Sequence, residues 1–222
     1  MNIENLYSLY LSNQKISTDT RQITPGSIFF ALKGDKFNAN EFADQALEKG
    51  AAYVVIDDER FRKNDDRYNL VPDVLTTLQE LARYHRSQLK IPFLGLTGSN
   101  GKTTSKELVH AVLSKKFKTL ATKGNLNNHI GVPLTILGID STVELAVIEM
   151  GANHLKEIEL LCSIANPTHG FITNIGKAHI GTFGGFDNIV RGKSELYQHL
   201  INNNGQVFIN SQNPILVNMA KR

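Results

Sequence analysis

Apolar residues recur along this chain in two rhythms, one helical and one extended. "IENLYSLYL" near the start has helical spacing, and "GSIFFAL" (26–32), entered from the turn "TPG", reads as a strand. "NEFADQALEKG" reads as a helix closed by Gly50, at the position where a helix end favours glycine. "AAYVVID" (51–57) is short and continuously apolar, as in a buried strand, and a polar, charge-rich loop, "DERFRKNDDRYN", follows it. Val71, Val74, Leu75, Leu78, Leu81, Ala82 and His85 then repeat at three and four residues, the stripe of an amphipathic helix. The pattern breaks at "SQLKIP", and Pro92 with the change of rhythm sets a domain boundary close to residue 90.

Beyond that point strands and helices alternate. The expected strands are "FLGLTG", "KTLAT", "ELAVIEM", "HGFITNI" and "QVFIN", and the expected helices are 102–116, 154–165 and 187–200. Apolar, β-branched strands separated by helices predict a mostly parallel sheet covered on both faces. The fold class is therefore α/β: a small N-terminal α/β domain over 1–90, then a phosphate-loop type domain with a mostly parallel sheet over 91–222.

Composition changes this picture little. With 24 basic and 21 acidic side chains among 222 residues, the formal charge of +3 is too mild to argue for nucleic acid. It leaves room for a local polyanion site. The single cysteine, Cys162, allows no intrachain disulfide, which fits a reducing compartment. "MNIENLYSLYLSNQK" lacks a basic start followed by an apolar run, and no stretch approaches the roughly 20 apolar residues of a membrane span. A cytoplasmic protein without a membrane span is expected.

Candidate chemistry starts at "GLTGSNGKTTSKE" (95–107), where an apolar strand breaks into glycines and then opens a helix with Lys-Thr-Thr. Glycines let backbone N–H groups approach an anion, and a helix N-terminus adds unpaired N–H groups and about half a positive charge. Gly98, Ser99, Asn100 and Gly101 would form the cradle. Lys102 would reach the outer phosphates and the Thr103 hydroxyl would hold Mg²⁺, with Thr104 beside it. The usual rule puts four residues between the first glycine and Gly-Lys. Here five separate Gly95 from Gly101 and two separate Gly98 from it, so the strict pattern fails.

Two further strand ends carry charge. "ELAVIEMGANH" (144–154) ends an apolar strand in Glu149, a carboxylate at the tip where ligands of parallel sheets sit and divalent metals find oxygen ligands. "ITNIGKAHIGTFGGF" (172–186) runs from a strand into a glycine loop with His179, and "VRGKSEL" (190–196) puts Lys193 early in a helix. Taken alone, Glu149 also reads as a surface glutamate, His179 as a structural histidine and Lys193 as a solvated lysine.

"TGSNGKTT" resembles the shorter phosphate loop of the Mur ligases and their folate-ligase relatives. The resemblance implies ATP and Mg²⁺, with two metal sites. It also implies a metal set of Glu149, His179 and a carbamylated Lys193 beside Thr103, because a carbamate presents anionic oxygens where an ammonium cannot ligate. Lys102, His179 and Lys193 become the catalytic candidates. "ATKGNLNNHIGVPLTIL" (121–137) resembles the branch that joins D-alanyl-D-alanine to UDP-N-acetylmuramoyl-tripeptide, with Asn125, Asn127 and Asn128 facing the peptide or its carboxylate. "STDTRQITPGSIFFALKGDKFNANEFADQA" (17–46) resembles the domain that binds the UDP-muramoyl end, with Ser17, Asp19, Thr20, Arg21, Lys33 and Gly34 as contacts. A "D-G-H" common in that domain is replaced by "NAN" (38–40), so a histidine contact is not carried over.

The resemblance covers nearly the whole chain and implies a third, C-terminal domain beyond it. The chain reads as a fragment whose "N-x-x-N-P" stretch near the end resembles the adenine side of the central domain, and a monomer is expected. The implied reaction is ATP-dependent amide ligation in peptidoglycan precursor synthesis. Three other readings are weighed against it: a slow NTPase switch, which the short phosphate loop and "GNLNNHIGVPLT" argue against; a family member adding a single amino acid, which 121–137 argues against; and a UDP-sugar-peptide binding module without turnover, which stays open.

Overall fold

A computed structural model describes residues 2–221. The chain divides into two compact units, residues 1–85 and 86–222. In chain order the strands are β1 Ile16–Ser17, β2 Ile28–Phe30, β3 Lys33–Gly34, β4 Phe37–Asn38, β5 Tyr53–Ile56, β6 Tyr68–Leu70, β7 Phe93–Thr97, β8 Thr119–Ala121, β9 Leu145–Glu149, β10 His169–Ile172 and β11 Gln206–Phe208. The helices are α1 Ile3–Asn13, α2 Ala43–Glu48, α3 Val74–Gln88, α4 Lys102–Leu113, α5 Gly131–Ile136, α6 Glu157–Ala165, α7 Ile180–Phe183, α8 Phe186–Asn202 and α9 Pro214–Ala220.

The first unit is built on a parallel sheet of order β1-β2-β5-β6. Phe29, Val54, Ile56 and Tyr68 from this sheet are buried in one cluster with Ala43 and Ala46 of α2. A small antiparallel hairpin pairs β3 with β4. Strand β6 overlaps the end of the stretch that reads as a loop from sequence. Two arginine–aspartate pairs two residues apart, Arg60–Asp58 and Arg67–Asp65, fold the flanking turns and give the segment its charge. The strand itself is only Tyr68–Leu70, too short to show alternation.

The second unit holds five strands in the order β11-β10-β7-β9-β8, and every neighbouring pair is parallel. Ala146, Val147 and Ile148 of β9 and Phe93 and Leu96 of β7 have no exposed surface, as expected of central strands covered on both faces. All five strands end on the same edge, so the loops after β7, β8, β9 and β10 share it. Ligands of open parallel sheets bind at that edge.

Three helices differ from the sequence reading. Helix α5 occupies "GVPLTI", where the sequence reading names no helix; Pro133 falls in its first turn, where a missing N–H does no harm. The side-chain oxygen of Asn128 accepts from the amides of Ile130 and Gly131 and starts that turn. Helix α6 begins at Glu157, three residues later than 154, because the Glu157 carboxylate ties up the amides of Asn153 and His154. The closing helix α9 is capped by Asn213, whose side chain accepts from Ile215 and Leu216. Among the described residues no helix is long and apolar enough to cross a membrane.

Candidate nucleotide and metal site

The phosphate loop runs from the end of β7 to the start of α4. Gly98 has φ +150°, and a Cβ there would collide with the Thr173 side chain. Gly101 takes φ +73° immediately before the helix. Both positions therefore require glycine. Gly95 is different: it lies within β7, against Met150, Pro167 and Leu196. The spacing misses the usual rule because Gly95 belongs to the strand and Gly98 is the first glycine of the loop.

The loop after β10 braces this cradle. The side chain of Asn174 accepts from the Asn100 amide at 3.1 Å and donates to the Asn100 carbonyl at 3.0 Å. Its own carbonyl accepts from the Ser99 amide. The Thr173 hydroxyl also donates to the Asn100 carbonyl, at 2.7 Å. Ser99 Oγ donates to the Gly176 carbonyl and accepts from the Gly176 amide. Ser99 and Asn100 are thus fixed by side-chain and backbone partners from "TNIG".

Lys102 folds over the loop and donates to the Gly98 carbonyl at 2.8 Å. Burial pulls its ammonium below the ordinary lysine range, partly opposed by the nearby charge of Glu149. One residue on, the Thr103 hydroxyl donates to Glu149 Oε1 at 3.2 Å. Thr104 is exposed on the same turn.

Glu149 ends β9 with 1% of its surface exposed. Its Oε1 also accepts from Asn127 Nδ2 at 2.8 Å. Its Oε2 is buried and has no hydrogen-bond partner. A buried carboxylate oxygen without a partner is costly, and a hard divalent cation is the ligand that such an oxygen suits. The residues present therefore fit Mg²⁺ at this position.

A cavity of about 490 Å³ adjoins these groups, and Lys102, Asn125, Asn127, Asn128, Ala152 and His179 are among its walls. Glu149 and Lys193 are not wall residues, but each contacts one: Glu149 meets Asn127, and Lys193 Nζ donates to the Ala152 carbonyl at 3.3 Å. Lys193 is 2% exposed, so it is not the solvated lysine its place in a helix suggests. Burial, with the charge of Lys102 adding to it, pulls its ammonium down to about 8. His179 holds a left-handed backbone, φ +59°, at the start of α7. Among the described residues no three His, Cys, Asp or Glu side chains converge as a metal cluster. A second cavity, of about 380 Å³, has Gly101, Ser105, Thr173 and Phe208–Asn210 among its walls.

In the first unit, Asp19 caps the turn Thr20–Gln22 and pairs with Arg21 at 2.7 Å on an exposed surface. The Arg21 hydrogen bonds hold the Asp19 carboxyl at about 2. Ser17 donates to the Asp19 carbonyl. Lys33 is already engaged: its ammonium lies 2.8 Å from Asp57, which also accepts from Asn40 and from the Val74 amide. Gly34 packs against the Phe37 ring. Asn40, the last residue of the "NAN" substitution, is 1% exposed and completes this network.

Asn174, Thr122 and Lys106 escaped the sequence reading. The position of Asn174 in "TNIG", one strand away from the loop it braces, was the available signal. Lys106 and Thr122 carried none, because a lysine on a helix and a threonine after a strand are unremarkable until burial is known.

A parallel sheet with this loop defines a phosphate-loop nucleotide-binding fold. Residues 96–222 match the Mur ligase middle domain, and residues 14–86 match the Mur ligase family catalytic domain. The chain belongs to the Mur ligase family. It is 40% identical over 206 residues to the UDP-N-acetylmuramoyl-tripeptide–D-alanyl-D-alanine ligase of Bacillus subtilis, covering 91% of this chain and 44% of that protein. The Escherichia coli protein of the same name is 40% identical over 198 residues, covering 89% and 43%. Among solved structures, MurF from Acinetobacter baumannii superposes with a TM-score of 0.84 at 36% identity, covering 96% of this chain and 50% of that one. The MurF ligase of Thermotoga maritima, solved in complex with ADP, gives 0.84 at 32% identity, covering 96% and 49%. The chain thus spans about half the length of the proteins it matches.

Proposed function

We propose that this chain carries the nucleotide, metal and UDP-sugar-peptide sites of an ATP-dependent amide ligase that joins D-alanyl-D-alanine to UDP-N-acetylmuramoyl-tripeptide. The observation that carries the reading is the juxtaposition of Lys102, Thr103 and the half-satisfied Glu149 at one end of the sheet. Similarity to relatives of that name supports the substrates. Residues 1–90 form the UDP-muramoyl-binding domain and 91–222 the ATP-binding domain. The enzyme acts as a cytoplasmic monomer.

An amine does not displace oxide from a carboxylate, because oxide is a very poor leaving group. Transfer of the γ-phosphoryl group to the peptide's C-terminal carboxylate breaks the bond between the γ-phosphorus and the bridging oxygen and releases ADP. It leaves an acyl phosphate. The amine of the dipeptide then attacks the acyl carbon, loses a proton, and expels phosphate as the amide forms. The first step brings two anions together, so positioning and charge stabilisation are the main requirement.

The loop amides of Gly98–Thr104 cradle the phosphates, and Lys102 swings from the Gly98 carbonyl to the β- and γ-phosphates. Thr103 would hold one Mg²⁺, and Glu149 with His179 and a carbamylated Lys193 would hold a second ion. Bound Mg²⁺ supplies positive charge to the phosphoryl oxygens as they transfer. The buried Lys193 amine, beside the Ala152 carbonyl, is the group that CO₂ would convert to an anionic oxygen ligand. Asn125, Asn127 and Asn128 on the cavity wall orient the acceptor peptide. The second cavity, with Phe208 and Asn210, takes the adenine. Asp19, Arg21 and their neighbours bind the uridine diphosphate end.

Phosphate release by the complete gene product tests this reading, with ATP, Mg²⁺, UDP-muramoyl-tripeptide and D-alanyl-D-alanine supplied and Lys102→Ala as control. Release that requires both peptide substrates and disappears in the control is expected. Release indifferent to them would replace the ligase with an NTPase. Dependence on a single amino acid in place of the dipeptide would move the chain to another member of the family.

A further inference from the structure

Lys106 is the largest unexplained polar feature of the second unit. It lies on α4 one turn after Thr103, and none of its surface is exposed. Its Nζ donates to the Thr122 carbonyl at 2.6 Å and lies 2.8 Å from Glu107 Oε1. A buried ammonium is tolerated only when paired, and an aliphatic side chain could fill the same space without that demand. What the charge accomplishes is shown by its partner.

Thr122 is the first residue after β8 and is itself 1% exposed. Its amide donates to the Val147 carbonyl, and its hydroxyl accepts from the Glu149 amide at 3.0 Å. Thr122 also begins the segment that leads to Asn127, whose side chain meets Glu149 and whose carbonyl accepts from the Gly151 amide. Residues three apart on a helix share a face, so Thr103 and Lys106 point at the same strand ends. Thr103 meets the Glu149 carboxylate directly. Lys106 meets it through Thr122.

We infer that Lys106 is a positioning residue for the metal-binding carboxylate: through Thr122 it fixes the backbone of Glu149 and the root of the Asn loop relative to Thr103. The inference rests on the assignment of Glu149 to Mg²⁺ made above. It predicts that losing the ammonium weakens the metal site while the phosphate cradle, braced by the "TNIG" segment, is preserved. Substitutions behind metal ligands typically lower metal affinity by about 10–100-fold, and a loss in that range is expected for Lys106→Met.

The test is binding of a fluorescent ATP analogue to this chain, with and without Mg²⁺, combined with hydrogen exchange over residues 119–127 and 145–151. In Lys106→Met the Mg²⁺ concentration for half-maximal tightening should rise by about tenfold or more, while metal-free affinity is unchanged. Thr122→Val, which replaces the hydroxyl by a methyl group, should reproduce the loss; Thr122→Ser, which keeps the hydroxyl, should not. The double variant should be no worse than either single one, as for two residues on one path. Exchange in both segments should quicken in Lys106→Met before any metal is added. Equal loss of affinity with and without Mg²⁺ would overturn the inference, since general loosening gives that result. So would unchanged exchange. A wild-type protein whose nucleotide binding ignores Mg²⁺ would instead remove the metal assignment, and the exchange experiment would still decide whether Lys106 fixes Glu149.

Discussion

The Thr103 hydroxyl and the Glu149 carboxylate lie 3.2 Å apart, linking the first turn of α4 to the end of β9. One oxygen of that carboxylate is satisfied and the other is buried without a partner. Strain of this kind is kept where a ligand relieves it. Replacing Glu149 by Gln removes the buried charge and keeps an acceptor for Thr103 and Asn127. The ligand-free protein should melt higher, by roughly 1 kcal/mol of stability, and Mg²⁺ should no longer tighten nucleotide binding. Calorimetry with and without Mg²⁺ checks both. A lower melting temperature with Mg²⁺ dependence intact would show that the second oxygen has no need of a cation.

Gly98→Ala should abolish the cradle. The position combines φ +150° with a direct collision against Thr173. Strain at such a position costs about 1–3 kcal/mol, and nucleotide affinity should fall by at least about tenfold. Gly124→Ala is the comparison, because φ there is +52° with open space around the new methyl. It should cost about 1–2 kcal/mol of stability and leave metal-free nucleotide binding as it was. Equal effects of the two substitutions would contradict the account.

Asn174→Asp tests the brace behind the loop. The aspartate keeps an acceptor for the Asn100 amide but sets a carboxylate against the Asn100 carbonyl, and it adds negative charge near the phosphates. ATP affinity should fall by about tenfold, with a smaller fall in Asn174→Ala. Isothermal titration distinguishes the two. An alanine variant worse than the aspartate would mean that charge has no part in the effect.

The phosphate loop was legible because its chemistry is local. Glycines, lysine and threonine within one short stretch leave few alternatives, and β7 and β9 carried unbroken apolar runs. Helix α5 was not legible, since "GVPLTIL" is apolar and β-branched enough to suit an extended chain. Contacts made in the fold favour the helix: the Asn128 side chain accepts from the Gly131 amide in the turn before it, and Gly131 packs closely on the backbone of Leu126. Strand β6 was hidden by charges that belong to the turns around it. Lys106 shows the limit most clearly: its residue type suggests solvent, and its burial depends on β8 and β9 arriving from later in the chain. Lys33 shows the converse, since its partner Asp57 comes from the end of another strand.

Acid should weaken the second unit through His199. This side chain contacts Asn166 Oδ1 at 3.1 Å, and burial holds its pKa below the ordinary 6.5. The unfolded chain therefore binds more protons than the folded one as pH falls through 6.5 toward the lowered value, and stability is lost in that window. His199→Gln keeps a donor for Asn166 and has no such titration. The drop in melting temperature between about pH 7 and about pH 5 should be smaller in the variant. An identical drop would assign the acid sensitivity to other groups.

The central claim, that ATP activates a peptide carboxylate at this site, is tested most directly by following oxygen. The complete gene product is given UDP-muramoyl-tripeptide labelled with heavy oxygen in its C-terminal carboxylate, together with ATP, Mg²⁺ and D-alanyl-D-alanine, and the released phosphate is analysed by mass spectrometry. An acyl phosphate leaves a carboxylate oxygen on the phosphate. The account requires labelled phosphate that depends on the dipeptide and is lost in Lys102→Ala. Amide product accompanied by unlabelled phosphate would contradict it.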